Sequence, residues 1–547
     1  MSTPSRRTLL RAPVAGAGAG LLAACTSSRS GSGPRSGPED SGVQAPFVPP
    51  GPRGYVNPSD PEVRAAERKR GSGPVRTHRF TAAESTLDLG GRSVRSWAYN
   101  ESLPGPLVRV TAGDVLDLTL TNRLPATTTL HSHGVRLRCD MDGTPDVTQA
   151  GIKPGADFRY RFTVRHPGTY LLHSHVGMQP DRALYAPLVV DDPKEPLSYD
   201  KEWLVVLDDW VDGVQGSTPD EVLRQLKPGA DGSMSMAGMA GMAGPGHGSP
   251  GPHRSASPHA SPSRKSAGPS RVLRESHSRI LHGDGGSVDY PHYLVNGRVN
   301  TSPSAFRCRP GDRIRLRIIN AGSETAFRVA LGGHTMTVTH TDGYPVRHKE
   351  TDALLVGMAE RYDVLVTAKD GVFPLVALAE GKKGQALAVL RTGKGREVPK
   401  PDVRPDELDG KVVPARRLVP AESVALRDRK PDRELRIRVT GTMEKYDWGF
   451  DHQGFDVRRR HPVKAGERVR LTLINATDMW HPLHLHGHTF SMKGLDAAGA
   501  LKDTAVVLPH RKLVVEFDAD NPGLWMLHCH NQYHSETGMM TVLGYRR

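Results

Sequence analysis

One nine-residue stretch occurs twice in the chain. Pro167-Gly168-Thr169-Tyr170-Leu171-Leu172-His173-Ser174-His175 is matched by Pro522-Gly523-Leu524-Trp525-Met526-Leu527-His528-Cys529-His530. A shorter framework recurs three times. Gly113-Asp114-Val115-Leu116 runs to Asn122, Gly311-Asp312-Arg313-Ile314 to Asn320, and Gly466-Glu467-Arg468-Val469 to Asn475, with glycine and asparagine nine apart each time. Such self-similarity makes the chain a series of copies of one unit. From Val75 onward, short runs of Val, Leu, Ile and Thr alternate with polar residues and break at Gly, Pro, Asn and Asp, so each copy reads as β-structure. A chain of 547 residues has room for about three domains.

The last copy carries a dense set of metal ligands: His528-Cys529-His530, then His534, then Gly538-Met539. Successive side chains on a strand point to opposite faces. Cys529 therefore faces one way and His528 and His530 the other, and one tripeptide serves two metal sites. The same alternation sorts Trp480-His481-Pro482-Leu483-His484-Leu485-His486. His484 and His486 share a face, and His481 lies on the other, beside Cys529. Two imidazoles, a thiolate and a thioether (His481, His534, Cys529 and Met539) form the donor set of a mononuclear blue-copper site. The remaining histidines need partners, and the first copy offers His131-Ser132-His133-Gly134 and His173-Ser174-His175. Ser174 stands where Cys529 stands, so only the last copy is equipped to bind copper through a thiolate. In the middle copy the matching positions read Val376, Ala377 and Leu378, and His334 and His340 have no partners at ligand spacing. These two read as core or hydrogen-bonded histidines.

In order, the four motifs are HxHG, HxH, HxxHxH and HCHxxxHxxxGM. They resemble those of the multicopper oxidases: laccases, bilirubin and ascorbate oxidases, and the bacterial copper-efflux oxidases. The resemblance implies an all-β fold of three consecutive cupredoxin-like Greek-key β-sandwich domains, set at residues 75–195, 196–400 and 401–547. It also implies four coppers (one type 1, one type 2, two type 3) and an oxidase that couples four one-electron oxidations of Cu(I) or phenols to reduction of O2 to water. Carried motif by motif, His131 and His484 hold the type 2 copper. His133, His173 and His530 hold one type 3 copper, and His175, His486 and His528 the other. The two groups of four trinuclear histidines would meet between the first and third domains, with the middle domain as spacer and clamp. Electrons would enter near His481, whose ring edge is expected close to the surface. A thioether at Met539, in place of an apolar residue, lowers the potential of the blue site and favours easily oxidised donors.

Three further assignments concern protons and substrate. Asp142, eleven residues past His131, sits where the family places a carboxylate near the trinuclear site; the competing reading is a turn aspartate before Gly143. Related bacterial enzymes often carry a glutamate directly after the last histidine of the fourth motif. Here that position is Ser535 and Glu536 follows, so the second proton relay is either absent or shifted by one residue. Asp478 and Met479, just before Trp480-His481, pair a hard and a soft ligand suited to docking Cu(I). A non-enzymatic copper store or scaffold is the alternative from a different class.

At the N-terminus, Ser5-Arg6-Arg7-Thr8-Leu9-Leu10 resembles a twin-arginine export signal and Leu22-Ala23-Ala24-Cys25 a lipoprotein processing site. The expectation is an exported protein anchored to the membrane by a lipidated Cys25, or a secreted one if residues 1–24 are simply removed. Residues 25–74 read as a flexible tether. The middle domain carries an insert at about 228–270, where Met234, Met236, Met239 and Met242 on a Gly/Ala backbone precede His247, His253 and His259. Thioethers favour Cu(I), so the insert reads as a low-complexity copper-collecting arm. The formal net charge is +14. No basic-aromatic motif accompanies it, so a solvated cationic surface is expected rather than nucleic-acid binding. Cys139 and Cys308 remain for a disulfide if their positions permit.

Overall fold

The computed structural model describes residues 47–228 and 268–547. The export signal, Cys25 and the Met/His-rich run from Met234 to His259 lie outside the described residues. Between Val75 and Tyr545 the strands form six sheets, in three sequential pairs. No helix among the described residues is long and apolar enough to cross a membrane.

Each copy is wound the same way. The framework strand after the repeated glycine pairs in parallel with the first long strand of its unit: Val115–Asn122 with Val75–Asp88, Arg313–Asn320 with Lys201–Trp210, and Arg468–Asn475 with Arg433–Thr440. Its other edge pairs antiparallel with Asp157–Thr163, Arg361–Thr367 and Lys512–Asp518 respectively. In the facing sheets, the last strand of each unit pairs in parallel with a short strand that precedes the framework. Such crossovers between two sheets are those of a Greek-key sandwich.

The repeated residues have a physical role. Gly113, Gly311 and Gly466 all lie at positive φ (101°, 87° and 88°) and an added Cβ would meet nothing within 4 Å, so backbone conformation alone selects glycine there. The three asparagines are buried and make equivalent bonds. The Asn122 amide donates to the carbonyls of Ala126 and Ile152, that of Asn320 to Thr325 and Val356, and that of Asn475 to Met479 and Val507. Each side-chain oxygen accepts the N–H two residues on. One side chain thus satisfies the backbone where the chain leaves one sheet for the other.

The ligand-bearing strands are neighbours within the facing sheets. His131–His133 pairs with Gly168–His173, and His481–Leu485 with Leu524–Cys529. The corresponding strands of the middle sandwich pair Val329 with Ala377 and Ala330 with Val376. Apolar side chains there continue the core, and no metal site forms.

Two expected boundaries move. The tether does not run to residue 74, because Val56 N–H donates to Tyr545 O, Tyr55 bridges Arg546, and a helix at Pro61–Arg68 buries Val63. Glu67 then accepts the Thr163 N–H and Arg70 donates to Asn521, so this segment binds the first and third sandwiches together. Its few apolar residues are too widely spaced to show a period. The middle unit also continues past residue 400. Val412 bridges Ala353, Pro420 bridges Val346, and Leu408 is buried with Ala330 and Leu387. Cys139 and Cys308 are both free; the Leu524 N–H donates to Cys139 Sγ.

Asn320→Ala tests the framework bond away from any ligand strand. It leaves two buried carbonyls without a donor, and unfolding of the metal-free protein should show a loss of about 2–4 kcal/mol.

Candidate metal centre

Two clusters of ligand atoms form at the ends of the repeated strands. In the first, Cys529 Sγ lies 3.7 Å from His481 Nδ1 and 3.8 Å from His534 Nδ1, and the two Nδ1 atoms are 3.2 Å apart. All three residues and Met539 are fully buried. The loop is closed by its own backbone. Asn531 caps the short helix Gln532–Glu536 by accepting the Tyr533 and His534 N–H groups, and Cys529 N–H donates to Met539 O. Thr477 Oγ1 sits 2.9 Å from His481 Nε2, which occupies that nitrogen and leaves Nδ1 turned to the cysteine. Burial pushes His481 down to about 3 and raises the Cys529 thiol. A neutral imidazole is ready to ligate, but a thiolate here requires a cation beside it.

The expected surface edge at His481 is absent, since the ring is 0 % exposed and Thr477 covers its outer nitrogen. The Asp478-Met479 docking pair also fails. Met479 is 1 % exposed and packed in the core, whereas the Asp478 side chain is 92 % exposed and ion-paired with His510. The two side chains lie in a bend, one in solvent and one in the core, and do not meet one ion.

The second cluster joins the first and third sandwiches. The His131 and His486 rings lie 3.9 Å apart, those of His133 and His484 3.7 Å, and those of His175 and His528 5.0 Å. His530 lies 5.0 Å from His133 and 5.2 Å from His173. Three overlapping sets have ligand atoms that can share an ion: His131, His133 and His173; His175, His486 and His528; His131, His484 and His486. The alternation argument holds, with Cys529 on one face and His528 and His530 on the other.

What marks this pocket is unsatisfied nitrogen. Each of its eight histidines keeps a buried ring nitrogen with no hydrogen-bond partner: Nε2 of His131, His173, His175, His484, His486 and His528, Nδ1 of His133, and both nitrogens of His530. On most of them the opposite nitrogen is held. His131 Nδ1 lies 2.7 Å from Asp142 O, His173 Nδ1 2.7 Å from Ser174 O, His484 Nδ1 2.9 Å from Asp503 O, and His528 Nδ1 2.8 Å from Cys529 O. By contrast, His334 in the middle sandwich has both nitrogens bonded, to Gly332 and Lys369 backbone. Burial, with repulsion among the rings, holds His173, His486, His528 and His530 well below the ordinary imidazole range. The donor set of neutral, fixed imidazoles with lone pairs aimed inward fits metal ions.

Asp142 belongs to this site rather than to a plain turn. Its Oδ2 is 2.9 Å from His486 Nδ1 and accepts from Thr144, while Oδ1 is buried without a partner. Sequence reasoning missed a second carboxylate, Asp503. Its Oδ1 lies 3.0 Å from His133 Nε2, which explains why His133 presents Nδ1 rather than Nε2 to the pocket. Arg361, from the middle sandwich, donates to Asp503 at 2.8 Å, and both are fully buried. Burial alone would raise the Asp503 carboxyl, but the guanidinium outweighs it and holds the group well below the usual range. Beyond it, Lys502 pairs with Asp342 and Glu360. Charges inside the apolar runs around Lys502-Asp503 and Glu360-Arg361 were the available signal.

Glu536 does not line the pocket. It accepts from Gln532 Nε2 at 3.2 Å, and burial lifts it to about 7.

Three multicopper oxidase family models match residues 81–195, 268–395 and 428–546. This chain belongs to the multicopper oxidase family. Multicopper oxidase MmcO of Mycobacterium tuberculosis is 46 % identical over 486 residues, covering 88 % of this chain and 90 % of that protein. Copper resistance protein A of Escherichia coli is 27 % identical over 564 residues, covering 84 % and 91 %. The fold is shared with Fet3p, a multicopper oxidase that functions in iron import (TM-score 0.69, 22 % identity, 86 % and 90 % covered), and with a Botrytis aclada laccase (TM-score 0.67, 23 %, 87 % and 88 %). As a multicopper oxidase the chain is a copper-dependent oxidoreductase that takes type 1, type 2 and type 3 coppers.

Asp503→Asn should loosen His133 and leave Arg361 without its charge partner. The expected result is a 10–100-fold loss of copper affinity at the histidine pocket, read as copper retained after dialysis against a chelator.

Proposed function

We propose that this multicopper oxidase oxidises Cu(I), and electron-rich phenols less well, in an exported copper-tolerance role. The convergence of eight histidines with orphaned ring nitrogens beside the cysteine cluster carries the oxidase reading, because it supplies ligands for a multi-electron site and no other group among the described residues satisfies them. Relatives named copper resistance protein A favour Cu(I) as donor. The type 1 ligands are His481, Cys529, His534 and Met539. His131 and His484 take the type 2 copper, with His133, His173 and His530 on one type 3 copper and His175, His486 and His528 on the other. The set His175, His486 and His528 supports the last assignment.

When bound, the coppers store the four electrons that reduce one O2 to two waters, with four protons taken up. The chain's own residues do the rest. Cys529 is covalently continuous with His528 and His530, so only a few bonds separate the thiolate cluster from the histidine pocket. Asp142 orients His486 through Oδ2, and its unpartnered Oδ1 can hold a proton or a water. Glu536, half-buried beside Gln532, stands one residue past the usual relay position and makes no contact with the histidines, so the second relay is either absent or reaches the pocket indirectly. Burial of seven of the eight rings, with His175 half-buried, limits the access of bulk water to their free nitrogens. An export signal with a lipidated Cys25, and a Cu(I)-collecting role for Met234–Met242, complete the proposal on sequence grounds.

The copper-loaded protein should be intensely blue with about four coppers per chain, and Cys529→Ser should remove both colour and O2 uptake. Bound zinc, or one copper without O2 uptake, would end the oxidase reading. For the donor, O2 consumption with Cu(I) should exceed that with a dimethoxyphenol, and deleting residues 230–260 should slow the Cu(I) reaction alone. Equal rates before and after deletion would remove the collecting arm.

A further inference from the structure

O2 reduction consumes protons in a pocket whose histidines are committed as metal ligands, so the protons must come from other groups. Asp142 stands on the His486 side. On the opposite side, the His173 and His530 rings line a cavity of about 10 Å³ together with Tyr185, Ser323 and Gln532. That is room for the centre of one water molecule, and Ser323 Oγ, buried and without a partner, supplies a polar contact for it.

Tyr185 faces His173 across the sheet, in register, and its hydroxyl lies 2.6 Å from Asp208 Oδ2. Asp208 is 2 % exposed. The neighbouring acids have other work. Asp209 accepts the backbone N–H groups of Ser323 and Glu324 at 2.7 and 3.0 Å, and Asp181 accepts from the Tyr533 and Tyr290 hydroxyls. The nearby cations are also committed, Lys382 to Glu324 and Arg182 to Asp212 and Asp220. Among the described residues no cation pairs with Asp208. A carboxylate in that position is disfavoured by burial and by the adjacent Asp209 charge, and both push the Asp208 carboxyl well above its ordinary range. The neutral, protonated acid is therefore the form these surroundings favour.

We propose that Asp208 is a proton store for the histidine pocket, delivering through the Tyr185 hydroxyl and a single water in this cavity. The Asp208 O–H bond breaks as the Tyr185 oxygen accepts its proton. The original Tyr185 proton passes to the water, and the water passes one on to the pocket. No electron moves, and the carboxylate left behind is reprotonated from solvent between turnovers. The proposal rests on the oxidase reading for its purpose, but the protonation of Asp208 does not.

The test uses the copper-loaded enzyme, reduced without air and then mixed with O2, with return of the blue colour followed in H2O and in D2O. Asp208→Asn and Tyr185→Phe should each slow reoxidation about tenfold or more and enlarge the solvent isotope effect, with copper content and anaerobic reduction of the blue centre as in the wild type. The double variant should be no slower than either single one, because the two groups act as a unit. Independently, the metal-free wild type should show an infrared protonated-carboxyl band at neutral pH that Asp208→Asn removes. Thermal stability should hold, since the amide reproduces the shape of the neutral acid. A band unchanged by the substitution, or variants that reoxidise at the wild-type rate and isotope effect, would overturn the proposal. A wild type that takes up no O2 would instead sink the oxidase reading, with the infrared band still deciding the state of Asp208.

Discussion

Eight imidazoles share one pocket with unpartnered ring nitrogens turned inward. A buried polar atom left without a partner costs about 1–3 kcal/mol, so the fold holds these nitrogens in place against a standing penalty that bound cations remove. The structure opposes that penalty from outside the pocket. Backbone carbonyls of Asp142, Ser174, Asp503 and Cys529 fix the ring orientations of four histidines. Asn122 and Asn475 fix the turns that lead toward the strands His131–His133 and His481–Leu485. Metal binding and folding are therefore coupled: the ligands are arranged before the metal arrives, at the expense of the metal-free state.

The middle sandwich is more than a spacer. Among the described residues it carries no ligand, because Val329 and Ala377 pair where the outer copies pair His131 with His173 and His484 with His528. It does supply Arg361, the buried cation that keeps Asp503 ionised against His133. Asp342 extends the same network by accepting the Asp503 and Thr504 N–H groups and pairing with Lys502. Breaking one member of such a buried set strands the others, so this interior tolerates little change. A domain that lost its metal ligands kept its place by setting the charge and tautomer of ligands in the other two.

The same division separates the two carboxylates nearest the histidines. Asp142 was accessible to sequence reasoning because it lies close in the chain to His131 and in a recognisable motif. Asp503 lies in a run that otherwise reads as an apolar strand, and its purpose depends on Arg361 and on His133 in two other sandwiches. Tyr185 and Asp208 were hidden for a similar reason. Each sits in an ordinary strand, and only their meeting beside His173 and His530 gives them chemistry. The misplacements share one cause. His481 is expected at the surface and Met479 at a docking site, yet Thr477 and the core cover both. The segment after Tyr55 was judged from composition, yet it is held by single contacts to Tyr545, Thr163 and Asn521.

By itself the sequence determined the three-fold β repeat, the two kinds of cluster and which copy holds the thiolate, because ligand chemistry and the two-residue period of a strand are local properties. Only the tertiary structure decided which acids touch the histidines, which nitrogen each ring presents, how deeply the thiolate cluster is buried and where a water fits beside it. Those depend on pairings between residues hundreds of positions apart, and a linear pattern holds no record of distance in space.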